Sequence, residues 1–141
     1  MFLLKILVFL HAFALRTTRG RLLGKFRSMD FGAVETIGTK SGKLRYIPLL
    51  LVPYEDGVIL IASMGGSDNH PSWYWNIKAC PKIRIFWKGQ TLNLIAEQVT
   101  DEKKAELWPL ICSFYASYDA YQKKTKRNIP VFNCQPIPGI D

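Results

Sequence analysis

Histidine, acidic side chains and paired cysteines are scarce in this chain of 141 residues. The three cysteines, Cys80, Cys112 and Cys134, lie far apart with no C-x-x-C among them, so no disulfide framework is expected and each reads as a small apolar residue in a reducing compartment. With only His11 and His70 beside them, a structural or catalytic zinc has too few ligands. No G-x-S-x-G elbow is present, and His70 is the one histidine in the globular part, which argues against a serine hydrolase. A P-loop is also missing: Gly38-Thr39-Lys40-Ser41-Gly42-Lys43 has the wrong spacing, and Leu44 stands where serine or threonine is required. Long hydrophobic runs are absent too. The longest, Phe2 to Leu15, is broken by Lys5 and His11 and falls short of the roughly 20 apolar residues that cross a bilayer.

What the chain does have is a globular composition, 48% hydrophobic with 21% charged residues, enough for one domain with a sizeable core. Acidic residues number 11 against 19 Lys and Arg, giving a net charge of +8. Nearly all of that excess sits in residues 1–45, where nine basic groups face only Asp30 and Glu35. A partner that is anionic near this end is implied. Nucleic acid is disfavoured, because the basic residues cluster with an oily segment and no nucleic-acid motif is found.

Three readings of the N-terminal segment stand side by side. It is an interfacial helix, its apolar part in the membrane boundary and Arg16, Arg19, Arg21, Lys25 and Arg27 facing headgroups. It is an ordinary docking helix with solvated arginines. Or it is a secretory signal, with Ala12-Phe13-Ala14 resembling a cleavage site.

Beyond Gly32 the pattern is one of short strands and turns. Strands are expected over 33–37 and 45–52, joined by the Gly38–Lys43 turn, then over 58–62, a run so continuously apolar that both faces must be covered. Asn69 or His70 followed by Pro71 predicts a helix starting at that proline and running to Ala79. Strands over 82–87 and 90–98 are joined by Lys88-Gly89. Thr100 caps a helix reaching Tyr115, a further helical piece covers 117–127, and a last strand covers 129–135. Together these predict a mostly antiparallel α+β domain, a small barrel or half-barrel.

Three constellations can carry chemistry. The Gly38–Lys43 turn, with Lys40, Lys43 and Arg45, has the makings of an anion cradle in which glycines let backbone N–H groups approach. Ser63-Met64-Gly65-Gly66 follows the buried strand and exposes backbone to a flat ring, with Trp73 as an aromatic wall and Asn76 as a polar contact one turn on. Tyr115, Tyr118 and Tyr121, spaced i, i+3 and i+6, share about 120° of one face if helical, and a phenol there acts as a proton donor at neutral pH.

Taken in order, these stretches resemble the deazaflavin-dependent nitroreductase family, quinone reductases that use reduced coenzyme F420. The landmarks run from Thr36-Ile37-Gly38-Thr39-Lys40-Ser41-Gly42 through Arg45, Pro48-Leu49 and Ala62-Ser63-Met64-Gly65-Gly66. They continue through His70-Pro71-Ser72-Trp73-Tyr74-Trp75-Asn76 and Tyr118-Asp119-Ala120-Tyr121-Gln122 to Ile129-Pro130-Val131. The resemblance implies a split β-barrel, FMN-binding-like, with an N-terminal helix and further helices flanking the barrel. It implies residues 1–28 as a membrane-interfacial segment and 29–141 as the cofactor-binding domain. Lys40, Ser41, Gly42 and Arg45 would face the phosphate, and Pro48, Ala62, Ser63, Met64, Gly65, Trp73 and Asn76 the ring. Tyr118, Ser63, Tyr115 and Tyr121 would orient or protonate a hydrophobic acceptor such as a quinone or nitroaromatic. A cytoplasmic protein peripheral on the inner face of the membrane follows. Thr39 and Met64 depart from basic positions of the family pattern, which keeps in play a branch without redox cofactor that binds a fatty acid; FMN is a further alternative, because it shares the ring shape and the phosphate.

Overall fold

The computed structural model describes residues 1–26 and 29–139. The boundary expected between residues 28 and 29, and Arg27, lie outside that range. The elements are α1 (Phe2–Thr17), β1 (Lys25–Phe26), β2 (Met29–Ile37), β3 (Leu44–Tyr54), β4 (Gly57–Ile61), α2 (Ser72–Ala79), β5 (Lys82–Trp87), β6 (Gln90–Gln98), α3 (Asp101–Phe114), α4 (Ser117–Lys124) and β7 (Val131–Pro136), with a single 3-10 turn at Met64–Gly66.

Strand order β2-β3-β4-β7-β6-β5 closes through antiparallel pairing of β2 with β5, where Ala33, Val34 and Glu35 face Phe86, Ile85 and Arg84. The result is a closed six-stranded antiparallel barrel, with β1 added as a short ribbon on β2. Closure removes exposed strand edges. Alternation decides which side chains fill it: Val34, Leu51, Val58, Leu60, Ile85, Leu94 and Phe132 point inward, and Trp73 and Ile77 of α2 complete this core. The residues between them point outward, so Ile59 and Ile61 of β4 pack with Val52 and Val131 under Leu107, Ile111 and Tyr118 of α3 and α4. Both faces of β4 are therefore buried, as its unbroken apolar run requires.

The strand starting at residue 33 in the sequence reading begins at Met29. Asp30 and Gly32 obscured it, yet a Cβ at Gly32 would meet the Leu51 Cδ1 methyl at 2.7 Å and the Phe86 carbonyl at 3.1 Å, so glycine suits this crowded point of the barrel. Pro71 is the N-cap of α2 in extended conformation, not its first helical residue, and the helix begins one position later at Ser72. The piece expected to reach Arg127 ends at Lys124, because Thr125 turns extended and hydrogen-bonds Asp68 Oδ1 at 2.8 Å. Thr100 caps α3 as expected, accepting from the Lys103 amide. Lys88 and Gly89 both have positive φ, the backbone of a tight hairpin turn.

The second half of α1 docks on the barrel: Leu15 and Ala12 are buried, and Leu15 packs with Ala33 and Phe86. Its first half does not. Phe2, Leu3, Leu4, Leu7, Phe9 and Leu10 are each more than half exposed. No helix among the described residues is long and apolar enough to cross a membrane.

Candidate functional site

A cleft of about 660 Å³ opens between the β2–β3 turn and the start of α2. Thr39, Lys40, Ser41 and Arg45 line one end, while Ser72, Trp73, Trp75 and Asn76 line the other, with Thr36 and Ile47 between them. Cation and aromatic wall, expected from separate stretches of sequence, share one cavity.

The turn is shaped by its own hydrogen bonds. The Gly38 amide donates to Lys43 O at 2.8 Å and the Gly42 amide to Gly38 O at 2.9 Å. Glycine amides expected to face an anion are thus spent closing the turn, and Gly42 does not line the cleft. The donors left for an anion are side chains: Lys40, Ser41 and Arg45, whose guanidinium donates to Ser41 Oγ at 3.2 Å. A Cβ at Gly38 would stand 2.9 Å from Ser41 Oγ and 3.3 Å from Arg45 Nε. Glycine leaves a cradle there that a side chain would fill, and its donor set suits a phosphate.

Asn76 reaches the cleft with both ends of its amide engaged. Its Nδ2 donates to Thr36 Oγ1 at 3.0 Å, and its Oδ1 accepts from the Thr39 amide at 3.2 Å. It ties α2 to β2 and to the basic turn, a positioning task the sequence reading did not foresee. Trp73, only 4% exposed, packs against Phe132 with the two rings tilted and also lines the cleft.

A second cleft of about 340 Å³ continues past Ile47, Ser72 and Trp73, which line both cavities. Its walls are Leu49, Ser63, Met64, Gly65, Pro71 and Tyr118. Ser63 and Tyr118 therefore face one space. Burial pushes the Tyr118 phenol well above its ordinary value, and the neighbouring Tyr115 and Tyr121 push the same way, so Tyr118 stays protonated. The three tyrosines do cluster, with ring centroids 5.1 to 6.3 Å apart, but not on one helix face. Tyr115 is the extended cap of α3, while Tyr118 and Tyr121 ride on α4. Tyr115 and Tyr121 share a 3.0 Å hydrogen bond that lowers the pKa of the first and raises that of the second, and neither lines the second cleft. Ala62 is wholly buried in the core, and Pro48 lies on β3 between cleft-lining Ile47 and Leu49, on the opposite face.

Arg127 is the residue the sequence reading missed. The sequence places it only at the basic end of the helical piece expected over 117–127. Past the end of α4 it turns inward and donates to Ser67 O at 2.6 Å, Ser63 O at 2.9 Å and Ala62 O at 3.1 Å. It also donates to His70 Nδ1 at 3.0 Å, which places the imidazole proton on Nε2. Burial, then the Arg127 charge, lowers the His70 pKa, so the ring is neutral. Gly66, at φ +82, lets the same loop approach α4, since a Cβ there would lie 3.0 Å from Tyr121 O. Only the break in helical pattern at Thr125 signalled this.

The family model for F420H(2)-dependent quinone reductase matches residues 8–136. An F420H(2)-dependent quinone reductase of Mycobacterium tuberculosis is 31% identical over 126 residues, covering 86% of this chain and 85% of its own length. A solved F420-H2 dependent reductase, FDR-A, superposes with a TM-score of 0.66 at 40% identity, covering 72% of this chain and 90% of the other. A second solved structure, described as a domain-swapped dimer, has a TM-score of 0.69 at 36% identity and covers 85% of this chain and 89% of its own.

Proposed function

The chain belongs to the F420H(2)-dependent quinone reductase family, and from that membership we infer that it passes a hydride from reduced coenzyme F420 to a quinone-type acceptor. The observation that carries this reading to residues is the first cleft, cationic at one end and aromatic at the other. A phosphorylated, flat-ringed ligand matches both ends.

In this reading Lys40, Ser41 and Arg45 hold the phosphate, with Gly38 keeping their cradle open. Trp73 walls the ring, and Asn76 holds the turn at the right distance from α2. The reduced deazaflavin supplies the hydride. Ile47 and Trp73, which line both clefts, would exclude water where the two clefts meet. Ser63 and Tyr118 orient the acceptor, and Tyr118, kept protonated by burial, donates to an acceptor oxygen as negative charge develops on it. Tyr115 and Tyr121 act behind Tyr118, fixing its ring.

The N-terminal segment, residues 1–28, belongs to the same proposal as a peripheral membrane contact on the cytoplasmic face, with 29–141 as the cofactor-binding domain. Its support is the exposed apolar half of α1, followed in sequence by Arg19, Arg21 and Lys25. A lipid-soluble acceptor would be met where it dissolves.

The test is a fluorescence titration of the full chain with F420 and with FMN, at low salt and with added salt, followed by turnover of a soluble quinone. Micromolar, salt-sensitive binding of F420 with quinone-dependent oxidation of F420H2 supports the reading. Binding of FMN alone, or of neither, overturns it.

A further inference from the structure

Two separate stretches of chain wall the second cleft: Ser63, Met64 and Gly65 on one side, and Pro71, Ser72 and Trp73 at the start of α2 on the other. A single guanidinium joins them. Arg127 Nε donates to Ser67 O, and its Nη2 to Ser63 O and Ala62 O, all in the first wall and its loop. Its Nη1 goes to His70 Nδ1 at 3.0 Å, beside Pro71 of the second wall. Of these four acceptors His70 alone is a side chain, and it alone can lose its accepting lone pair by taking up a proton.

The ring is held for this contact. It stacks on Tyr74 with centroids 4.1 Å apart and meets Trp75 edge-on at 5.5 Å, and both aromatics belong to α2. Few charged or titratable groups face the cluster. Arg127 comes from the segment after α4, Asp68 from the loop itself, the Tyr74 phenol from α2, and Lys124 from α4, its stem against Gly66. Asp68 accepts from Thr125 Oγ1 at 2.8 Å and pulls on Arg127, and no carboxylate among the described residues forms an ion pair with His70. A protonated ring would therefore lose the Arg127 bond and meet a like charge in its place. Burial and that same charge keep its pKa below the ordinary value, so the bonded, neutral form prevails near neutral pH.

We propose that His70 is a positioning residue for the acceptor: acting through Arg127, its neutral ring ties the Ser63–Gly65 loop to the start of α2, and taking up a proton releases the loop and weakens acceptor binding. This rests on the reading that the second cleft takes the acceptor. Lys40, Ser41 and Arg45 of the first cleft are carried by the β2–β3 turn and the start of β3, outside this link, so cofactor affinity is not expected to follow His70.

The experiment follows binding of menadione, a quinone with no titratable group, to the full chain by quenching of tryptophan fluorescence from about pH 8 to about pH 5. Wild-type affinity is expected to fall about fivefold across this range, the scale of one lost hydrogen bond. Its midpoint should coincide with that of the His70 imidazole in nitrogen-15 spectra, which should also show the proton on Nε2 at high pH. His70→Gln offers Arg127 an oxygen that does not titrate, and should hold affinity within about 1.5-fold throughout. His70→Leu accepts nothing and should show the wild type's low-pH affinity at every pH. With Arg127→Met already in place, either change at His70 should add nothing further. F420 affinity, compared between variant and wild type at each pH so that the cofactor's own titration cancels, should stay within about twofold. A pH dependence that survives in His70→Gln overturns the proposal, as do a proton on Nδ1, unchanged menadione binding in His70→Leu, or losses that add to those of Arg127→Met. Thermal melts check folding, and if His70→Leu is unfolded the pH profile of His70→Gln decides. A wild type that binds menadione with this profile but not F420 fails the cofactor reading alone. One that binds F420 but no quinone fails the acceptor reading of the second cleft, and the proposal with it.

Discussion

Replacing Arg127 by methionine removes a guanidinium that donates at 2.6, 2.9 and 3.1 Å to three carbonyls of one loop and at 3.0 Å to His70. A hydrogen bond involving a charged group nets about 1.5–3 kcal/mol, but these four share one charge. That charge is itself partly desolvated, and burial lowers its pKa against the weaker opposing pull of Asp68. The sum is therefore far below four separate bonds. Some carbonyls regain water in the variant, since the loop is near the surface, which leaves a loss of about 2–3 kcal/mol. For a domain of this size that lowers Tm by roughly 6–10 °C. Methionine fills the stem volume, so the loss reports hydrogen bonding and not a cavity. The loop carries Ser63, Met64 and Gly65, which line the second cleft, whereas Lys40, Ser41 and Arg45 line the first. Acceptor KM should accordingly rise several-fold while F420 affinity holds within about twofold. Arg127→Lys keeps the charge but not the fork, and should recover no more than half of the Tm. Thermal melts and a pair of titrations decide it. A Tm loss under about 2 °C, or equal weakening of acceptor and cofactor, refutes the claim that Arg127 shapes this loop.

The other expectations are more compact. Lys40→Ala should weaken F420 binding about tenfold with Tm unchanged, because the side chain stands in a loop outside the core; a fall in Tm would show a structural role instead. Gly38→Ala should cost little stability, since its Cβ meets the movable end of Ser41, yet weaken cofactor binding by filling the cradle, which the same titration reads. His70 titrates below its ordinary value of 6.5 because of burial and Arg127, so unfolded chains take up the proton first as pH falls. Stability should thus be full above pH 6.5 and decline below it, and His70→Gln should flatten Tm against pH in that window. Glu35 gives a second, separate decline: burial alone would raise its pKa, but Arg84, Tyr46 and the Arg16 charge outweigh it, so its contribution is lost only as pH falls below 4.5. Replacing Leu3, Leu7 and Leu10 by serine should release the protein from anionic vesicles in a sedimentation assay without lowering Tm, because these side chains touch no core.

Strands were legible where a single physical cause dominates. The unbroken run Val58–Ala62 reads as covered on both faces, and the barrel supplies both covers, Phe132 inside and Ile111 outside. The Lys88-Gly89 turn and the Thr100 cap likewise follow from local backbone chemistry. Closure between β2 and β5 was not legible, since it depends on Ala33 and Val34 meeting Phe86 and Ile85, some fifty residues away. The first cleft was legible as two halves, basic turn and aromatic helix start, because each is contiguous in sequence. What joins them, the Asn76 amide spanning Thr36 and Thr39, is a tertiary hydrogen-bond pair with no local signature. Spacing misled for the tyrosines: i, i+3, i+6 is helical arithmetic, but the chain breaks between Phe114 and Ser117, so the rings converge from two elements.

That break has a consequence for how the site is held. Trp73 and Ile47 line both clefts, and Trp73 also belongs to the barrel interior with Phe132. The wall between the two clefts is therefore as rigid as the core itself. The outer wall of the second cleft meets the core only through Tyr118 and otherwise rests on loop contacts. Its loop is held by Arg127 and its floor by Tyr118 on an eight-residue helix, both supplied by the segment after α3. In the proposed reading, the wall shared by the two spaces is built from core, and the outer side of the acceptor space rests on a short helix and a few hydrogen bonds. Substitutions in residues 115–127 should accordingly alter acceptor choice long before they alter cofactor affinity, and a panel of quinones and nitroaromatics assayed against Tyr118→Phe and Arg127→Lys would show which acceptors depend on each.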